Sequence, residues 1–150
     1  MARRVFFSFH YQHDLWRANV VRNSSVVEGT SAAGFSDASL WEDAKKQGDA
    51  AIQRLINNGL NGTTVTVVLI GAQTANRRWV TYEIQKSIER GNGLLGVRIH
   101  TIKDREGRTD SPGLIPTALE RAAAPIYLYE YGKLGDWVEQ AYKKAHPGSA

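Results

Sequence analysis

Apolar and polar positions along this chain follow two periods that take turns, one of two residues or less and one near 3.6. Val5 to Tyr11 (Val-Phe-Phe-Ser-Phe-His-Tyr) is β-branched and aromatic, which predicts a strand. Its start is apolar throughout, as a central strand buried on both faces should be, and its end turns polar at Ser8, His10 and Tyr11. Asp14 stands at an N-cap position before a helical run to about Arg22. Ser25–Glu28 is a weak strand candidate, and the small, polar stretch 29–38 reads as a loop. Ser39 and Glu42 have capping-box spacing, which starts a helix near Leu40. Ala44, Gly48, Ala51, Ile52, Leu55 and Ile56 carry its period to about Asn58. Thr64–Ile70 is a buried strand, and a polar turn, 71–76, follows it. Val80, Ile84 and Ile88 recur every four residues and predict a helix with one stripe on the core, ending at Gly91-Asn92-Gly93. Leu94–His100 is a strand, 103–113 a charged loop, and Pro116 suits the first position of a short helix to about Ala123. Pro125–Tyr131 is the last strand, with Tyr127, Tyr129 and Tyr131 alternating on one pleat face. Lys133–His146 is an amphipathic helix, and 147–150 a frayed tail.

Strand and helix therefore alternate about five times. That pattern predicts a parallel sheet covered by helices on both faces and joined by right-handed crossovers. Five strands with no glycine-rich dinucleotide fingerprint favour an α/β, flavodoxin-like three-layer sandwich of strand order 2-1-3-4-5. In that order the switch point, where the winding of the sheet reverses, lies between the first and third strands. The loop after the first strand (Phe9, His10, Tyr11, Gln12, His13) and the helix bearing Glu83 then meet at one sheet edge. Trp79 and Glu83, four residues apart, are neighbours on that helix and border its core stripe. An acid beside an indole, one turn into a helix after a strand, is where such a sheet places a ligand crevice.

Composition narrows the function without naming it. At 150 residues the chain reads as one domain, 1–150, with 42% hydrophobic and 23% charged residues. It has no cysteine, so disulfides and thiolate metal sites are excluded. His10 and His13 share a short loop with no evident third ligand, so no metal is expected. The basic residues that make the net charge +4 are scattered as pairs such as Arg77-Arg78 and Lys143-Lys144. No coherent stripe for nucleic acid results, although a mild positive balance suits a small anionic ligand. The N-terminal apolar run is too short for a signal peptide or a membrane span, so an intracellular, cytoplasmic protein with no membrane contact is expected.

Trp79-Val80-Thr81-Tyr82-Glu83-Ile84 resembles the W-C-x-x-E-L segment of TIR domains, with Val80 in place of Cys. Val5-Phe6-Phe7-Ser8-Phe9 resembles their opening strand, with Arg4 where an acid is usual. Asp37-Ala38-Ser39-Leu40-Trp41-Glu42 followed by Gly48-Asp49, then Val65–Gly71, then Gly91–Gly96, are similar to one branch, the short bacterial TIR-like proteins that include the B component of Thoeris antiphage systems. The likeness runs from about Arg3 to Asp104. The loop before Ser39 lacks the R-D-x-x-P-G pattern of animal and plant TIR domains, so docking modes built on that loop are not implied.

The resemblance implies an enzyme that cleaves NAD⁺ as substrate, with no permanently bound cofactor. It releases nicotinamide and makes a cyclic or conjugated ADP-ribose signal for a separate effector. A phage protein as trigger and self-association on activation belong to the same implication. Glu83 would then be catalytic. Ser8, Phe9, His10 and Trp79 would bind substrate, and Tyr11, Asp37 and Trp41 would form a lid or support. Nicotinamide leaves as a neutral base and needs no proton, so one carboxylate suffices where most glycosidases need two. Each aromatic also fits a plain packing role, Ser8 a loop-shaping one, and Glu83 a solvated helix position. Two other functions stay open: a non-catalytic TIR-type assembly module, and a glycosyl-transfer enzyme like the nucleoside deoxyribosyltransferases, whose single glutamate is a covalent nucleophile.

Overall fold

The computed structural model describes residues 3–24, 27–35 and 39–148. Five strands, β1 (Arg4–Ser8), β2 (Glu28–Thr30), β3 (Val65–Ile70), β4 (Gly93–Arg98) and β5 (Ile126–Leu128), form one sheet in the order β2-β1-β3-β4-β5. Every pairing is parallel. The helices are α1 (Tyr11–Asn23), α2 (Ser39–Gln47), α3 (Asp49–Leu60), α4 (Arg78–Arg90), α5 (Thr117–Arg121) and α6 (Leu134–Ala145). The flavodoxin-like expectation is met. None of the helices among the described residues is long and apolar enough to cross a membrane.

The core explains the order. All six residues of β3 are buried, as a strand covered on both faces requires. Val68 and Ile70 pack with Val80 and Ile84 of α4 and Leu119 of α5. Val67 and Leu69 point the other way, into a cluster with Ala18 and Val21 of α1 and Val138 and Ala141 of α6. Pairing of Ser8 with Val68 brings the end of β1 level with the upper half of β3.

Several boundaries differ from the sequence reading, each for a local reason. β1 stops at Ser8, and α1 begins at Tyr11. His10 is the N-cap instead of Asp14: its Nδ1 accepts the His13 backbone N–H at 3.1 Å. Asp14 is drawn inside the first turn and fully buried. The long helix expected from Leu40 to Asn58 is two, because Gly48 takes φ 110° between them, a conformation that only glycine adopts cheaply. The second strand is described at Glu28–Thr30; of the expected 25–28, positions 25 and 26 lie outside the described residues. Pro116 caps α5 from just outside it. Ile88, expected on the core stripe, is 49% exposed, while Glu83 and Ser87 are buried in its place. Ser87 can be buried because its hydroxyl donates to the Glu83 carbonyl and meets Thr66 Oγ1 at 2.7 Å. Of the alternating tyrosines, Tyr127 stacks on Trp137 at 4.3 Å and Tyr129 meets Ser24 Oγ, but Tyr131 is 77% exposed, because β5 ends at Leu128. In the tail, 149 and 150 lie outside the described residues.

The 103–113 loop is pinned against the turn that leads into α4. A Cβ on Gly113 would stand 2.0 Å from the Gly71 carbonyl oxygen, a backbone atom that cannot swing away. Arg98 Nη2 donates to the Gly113 carbonyl at 2.9 Å and holds the loop there. Gly113→Ala is therefore expected to cost about 2 kcal/mol or more by overpacking, read as a lower midpoint in urea unfolding.

Candidate active site

Glu83 sits in the second turn of α4 on the face that meets β1, and its residue is 1% exposed. Ser8, at the end of β1, donates its hydroxyl to Glu83 Oε1 at 2.6 Å. Glu83 Oε2 has no hydrogen-bond partner among the described residues. Burial pushes the Glu83 carboxyl up to about 8, and the Ser8 hydrogen bond opposes that rise without cancelling it. The acid is thus largely protonated at neutral pH, and its charged form is costly without a positive group beside it.

Glu83 lines a cavity of about 190 Å³ together with residues of three helices and the β1–α1 turn, among them Phe9, His10, Tyr11, Trp41 and Trp79. Phe9, Tyr11 and Trp41 are buried and form a ladder: Phe9–Tyr11 centroids lie 4.4 Å apart, and Tyr11 stacks on Trp41 at 4.8 Å. Trp41 therefore belongs to helix α2 and not to a covering loop. The Tyr11 hydroxyl accepts the Ala33 backbone N–H at 2.9 Å, so its ring cannot turn. Burial raises the Tyr11 phenol, and the nearby Glu83 raises it further; it stays neutral. Trp79 is half-buried, edge-on to Tyr82 at 5.4 Å, and the Arg78 guanidinium lies over its ring at 4.4 Å.

His10 is held down to about 4, first by burial and then by the positive charges of Arg77, His13 and Lys45. It is neutral at pH 7. Since its Nδ1 accepts from His13, its Nε2 carries the proton and is a donor. His13 turns away and meets Asp110 at 2.6 Å.

The turn at Ser8 thus brings together Ser8, Phe9, His10, Tyr11, Trp41, Trp79 and Glu83. Asp37 lies outside the described residues. Lys45, Arg77 and Arg78, which are not among the residues expected from the sequence, also line the cavity. The signal in the sequence is the Arg-Arg pair directly before Trp79, which composition alone does not separate from the other scattered basic pairs. A larger groove, about 820 Å³, runs along the opposite side of α4 past Thr81, Gln85, Ile88, Leu94 and Ala118. It holds no acid and no histidine, so size alone does not mark the chemistry.

A family model described as the Thoeris protein ThsB, TIR-like domain, matches residues 6–104. The chain belongs to that family. A Bacillus cereus (strain MSX-D12) protein with the printed name "Putative cyclic ADP-D-ribose synthase ThsB1" is 53% identical over 154 residues, which cover 98% of this chain and 79% of the relative. The ThsB-type match begins in β1 and ends just after β4. It contains every described residue of the cavity.

A buried carboxylate with one oxygen hydrogen-bonded and one unpartnered, beside an aromatic cavity, can stabilise a developing positive charge or accept a proton. The ThsB-type sheet supplies the fixed half from β1 and the acid from α4, so neither element holds the site alone.

Proposed function

We propose that this chain cleaves the nicotinamide–ribose bond of NAD⁺ and turns the ADP-ribosyl part into a cyclic or conjugated signal, which activates a separate effector of Thoeris-type antiphage defence. The observation that carries the reading is buried Glu83, which has an unpartnered Oε2 and lines a cavity rich in aromatic side chains. Family membership and the relative's name support it.

The bond between ribose C1′ and the pyridinium nitrogen breaks with its electron pair leaving on nicotinamide, which departs neutral. The positive charge moves to C1′ and the ring oxygen. Glu83, ionised by the incoming cation, faces that charge. A nucleophilic nitrogen or hydroxyl then bonds to C1′. Where a hydroxyl attacks, its proton passes to Glu83, whose position near 8 suits it to accept one. Phe9 and Trp79 wall the ring and ribose, and the His10 Nε2–H donates to substrate oxygens. Water must be kept out, because hydrolysis would spend the substrate without making a signal. Self-association and a phage trigger remain part of the proposal.

Mass spectrometry of NAD⁺-derived metabolites from infected cells, with wild-type protein or Glu83→Gln, tests the reading. Loss of NAD⁺ with a new ADP-ribosyl product in wild type alone supports it. Defence without any NAD⁺-derived product would support the assembly-module reading. Exchange between a nucleoside and a free base would point to the deoxyribosyltransferase type.

Ser8→Ala gives a second check. Without the hydroxyl, Glu83 Oε1 loses its donor and the acid rises further above about 8. Activity at pH 7 is expected to fall roughly tenfold, the effect of about one neutral hydrogen bond, with part of it recovered at pH 9. A loss that stays constant across pH would mean that Ser8 does not act through Glu83.

A further inference from the structure

The first turn of α4 forms one wall of the cavity: Arg77, Arg78, Trp79 and Val80 all line it. The helix opens at Arg77 with no side-chain cap and no acid in its first turn. Helix starts leave backbone N–H groups without intrahelical partners and carry a partial positive charge. Most helices offset this with Asp, Ser or Glu; α4 places two arginines there. Lys45 approaches the same cavity from α2.

These cations are not arranged to neutralise Glu83. The Glu83 carboxyl stays raised by burial, opposed only by Ser8, while the cations do depress His10. Nor are they all answered by acids of the chain. Arg78 is paired with Asp49 at 2.6 Å. Lys45 has Glu42 at 3.6 Å, and Glu42 also accepts from Gln12 at 2.6 Å. Arg77 makes no ion pair among the described residues: it donates from Nε and Nη2 to the carbonyl and amide oxygens of Gln73, each at 3.1 Å. That contact holds the guanidinium in place and leaves its charge uncompensated.

Distance sets the chemistry of an anion that would fit there. Glu83 lies about one helical turn, roughly 5.4 Å along the axis, deeper than the first-turn N–H groups. The anomeric carbon of a ribose and the phosphate on its 5′ carbon are separated by the same order of distance. A ribose with C1′ at Glu83 therefore presents its 5′ phosphate to the start of α4.

We propose that Arg77, Lys45 and the uncapped first turn of α4 form a diphosphate-binding rim of the Glu83 cavity, which selects ADP-ribosyl compounds over the unphosphorylated riboside. This rests on the NAD⁺ reading for the place of the ribose, but it can be tested without turnover.

Titration calorimetry of wild type, Arg77→Gln/Lys45→Gln and the control Lys103→Gln with inorganic pyrophosphate and with ADP-ribose is the experiment. Lys103 is exposed and lies in the loop away from the cavity. Wild type and control should bind both compounds, more weakly as salt is raised. The double variant should bind each at least tenfold more weakly at an unchanged melting temperature. Binding of neither compound by wild type, or equal binding by the double variant, would overturn the rim. Arg77→Lys separates charge from shape: it should recover most of the pyrophosphate affinity, and no recovery would count against a charge-reading rim. Binding that follows the rim's charge, in a protein that leaves NAD⁺ intact, would uphold this inference while removing the enzymatic reading.

Discussion

Glu83→Gln is expected to lower NAD⁺ turnover by on the order of 10³-fold, the cost of deleting a charge aimed at the transition state, while the fold remains intact. The same substitution should make the protein more stable in alkali. Glu83 titrates at about 8 in the folded chain against an ordinary 4.5. The folded state therefore holds this proton more tightly than the unfolded one. Its contribution is greatest below about 4.5, declines as pH rises through that window, and levels off above about 8. Glutamine keeps an acceptor for Ser8 and never ionises. At pH 9 the variant should melt on the order of 5–10 °C above wild type, the equivalent of a few kcal/mol in a chain of this size, and the two should converge near pH 4. Thermal melts across pH measure this beside the activity assay. A variant that is inactive and also less stable at pH 9 would mean that Glu83 is held as a structural ion, and the charge-stabilising role would fall.

The second large effect is in the pH profile of kcat/KM, which reports ionisation in the free enzyme. In the proposed mechanism only ionised Glu83 can meet the positive ribose. The profile should climb about tenfold per pH unit from 6 and flatten near 8, a change of nearly a hundredfold. His10 does not contribute to this limb, since it is neutral from about 4 upward. Asp14, raised to about 6 mainly by burial, lies at the foot of the limb and packs against Gly71, where a Cβ would come within 2.3 Å of its Oδ2. A midpoint near 6 would therefore indicate Asp14, and a flat profile would show that Glu83 is ionised already. In saturating substrate the limb should move to lower pH, because the bound pyridinium favours the carboxylate.

The parts of this molecule that could be read along the chain are those with a long, repeated signal. Val65–Ile70 is apolar without interruption because β3 is covered on both sides, so the strand and its central place were legible together. Trp79 and Glu83 were legible as neighbours because α-helical spacing requires it. What misled was local. Gly48 sits on the helical period and looked like a tolerated residue, yet its φ of 110° divides α2 from α3. Asp14 is a good cap by type, but His10 reached the free N–H first. The Val80–Ile84–Ile88 stripe turned by one position, and Glu83 went from the border of the core to its interior.

From the residues alone came the alternation of strand and helix, the strand order that follows from it, the family, and the pairing of the first strand's end with one acid of the fourth helix. Tertiary structure decided the state of that acid. No spacing rule shows that Glu83 is buried, keeps one hydroxyl partner and lines an aromatic cavity, because desolvation depends on what β1, α2 and α4 jointly exclude. The same holds for Lys45 and Arg77, 32 positions apart in sequence, whose charges act together only because packing places them at one rim.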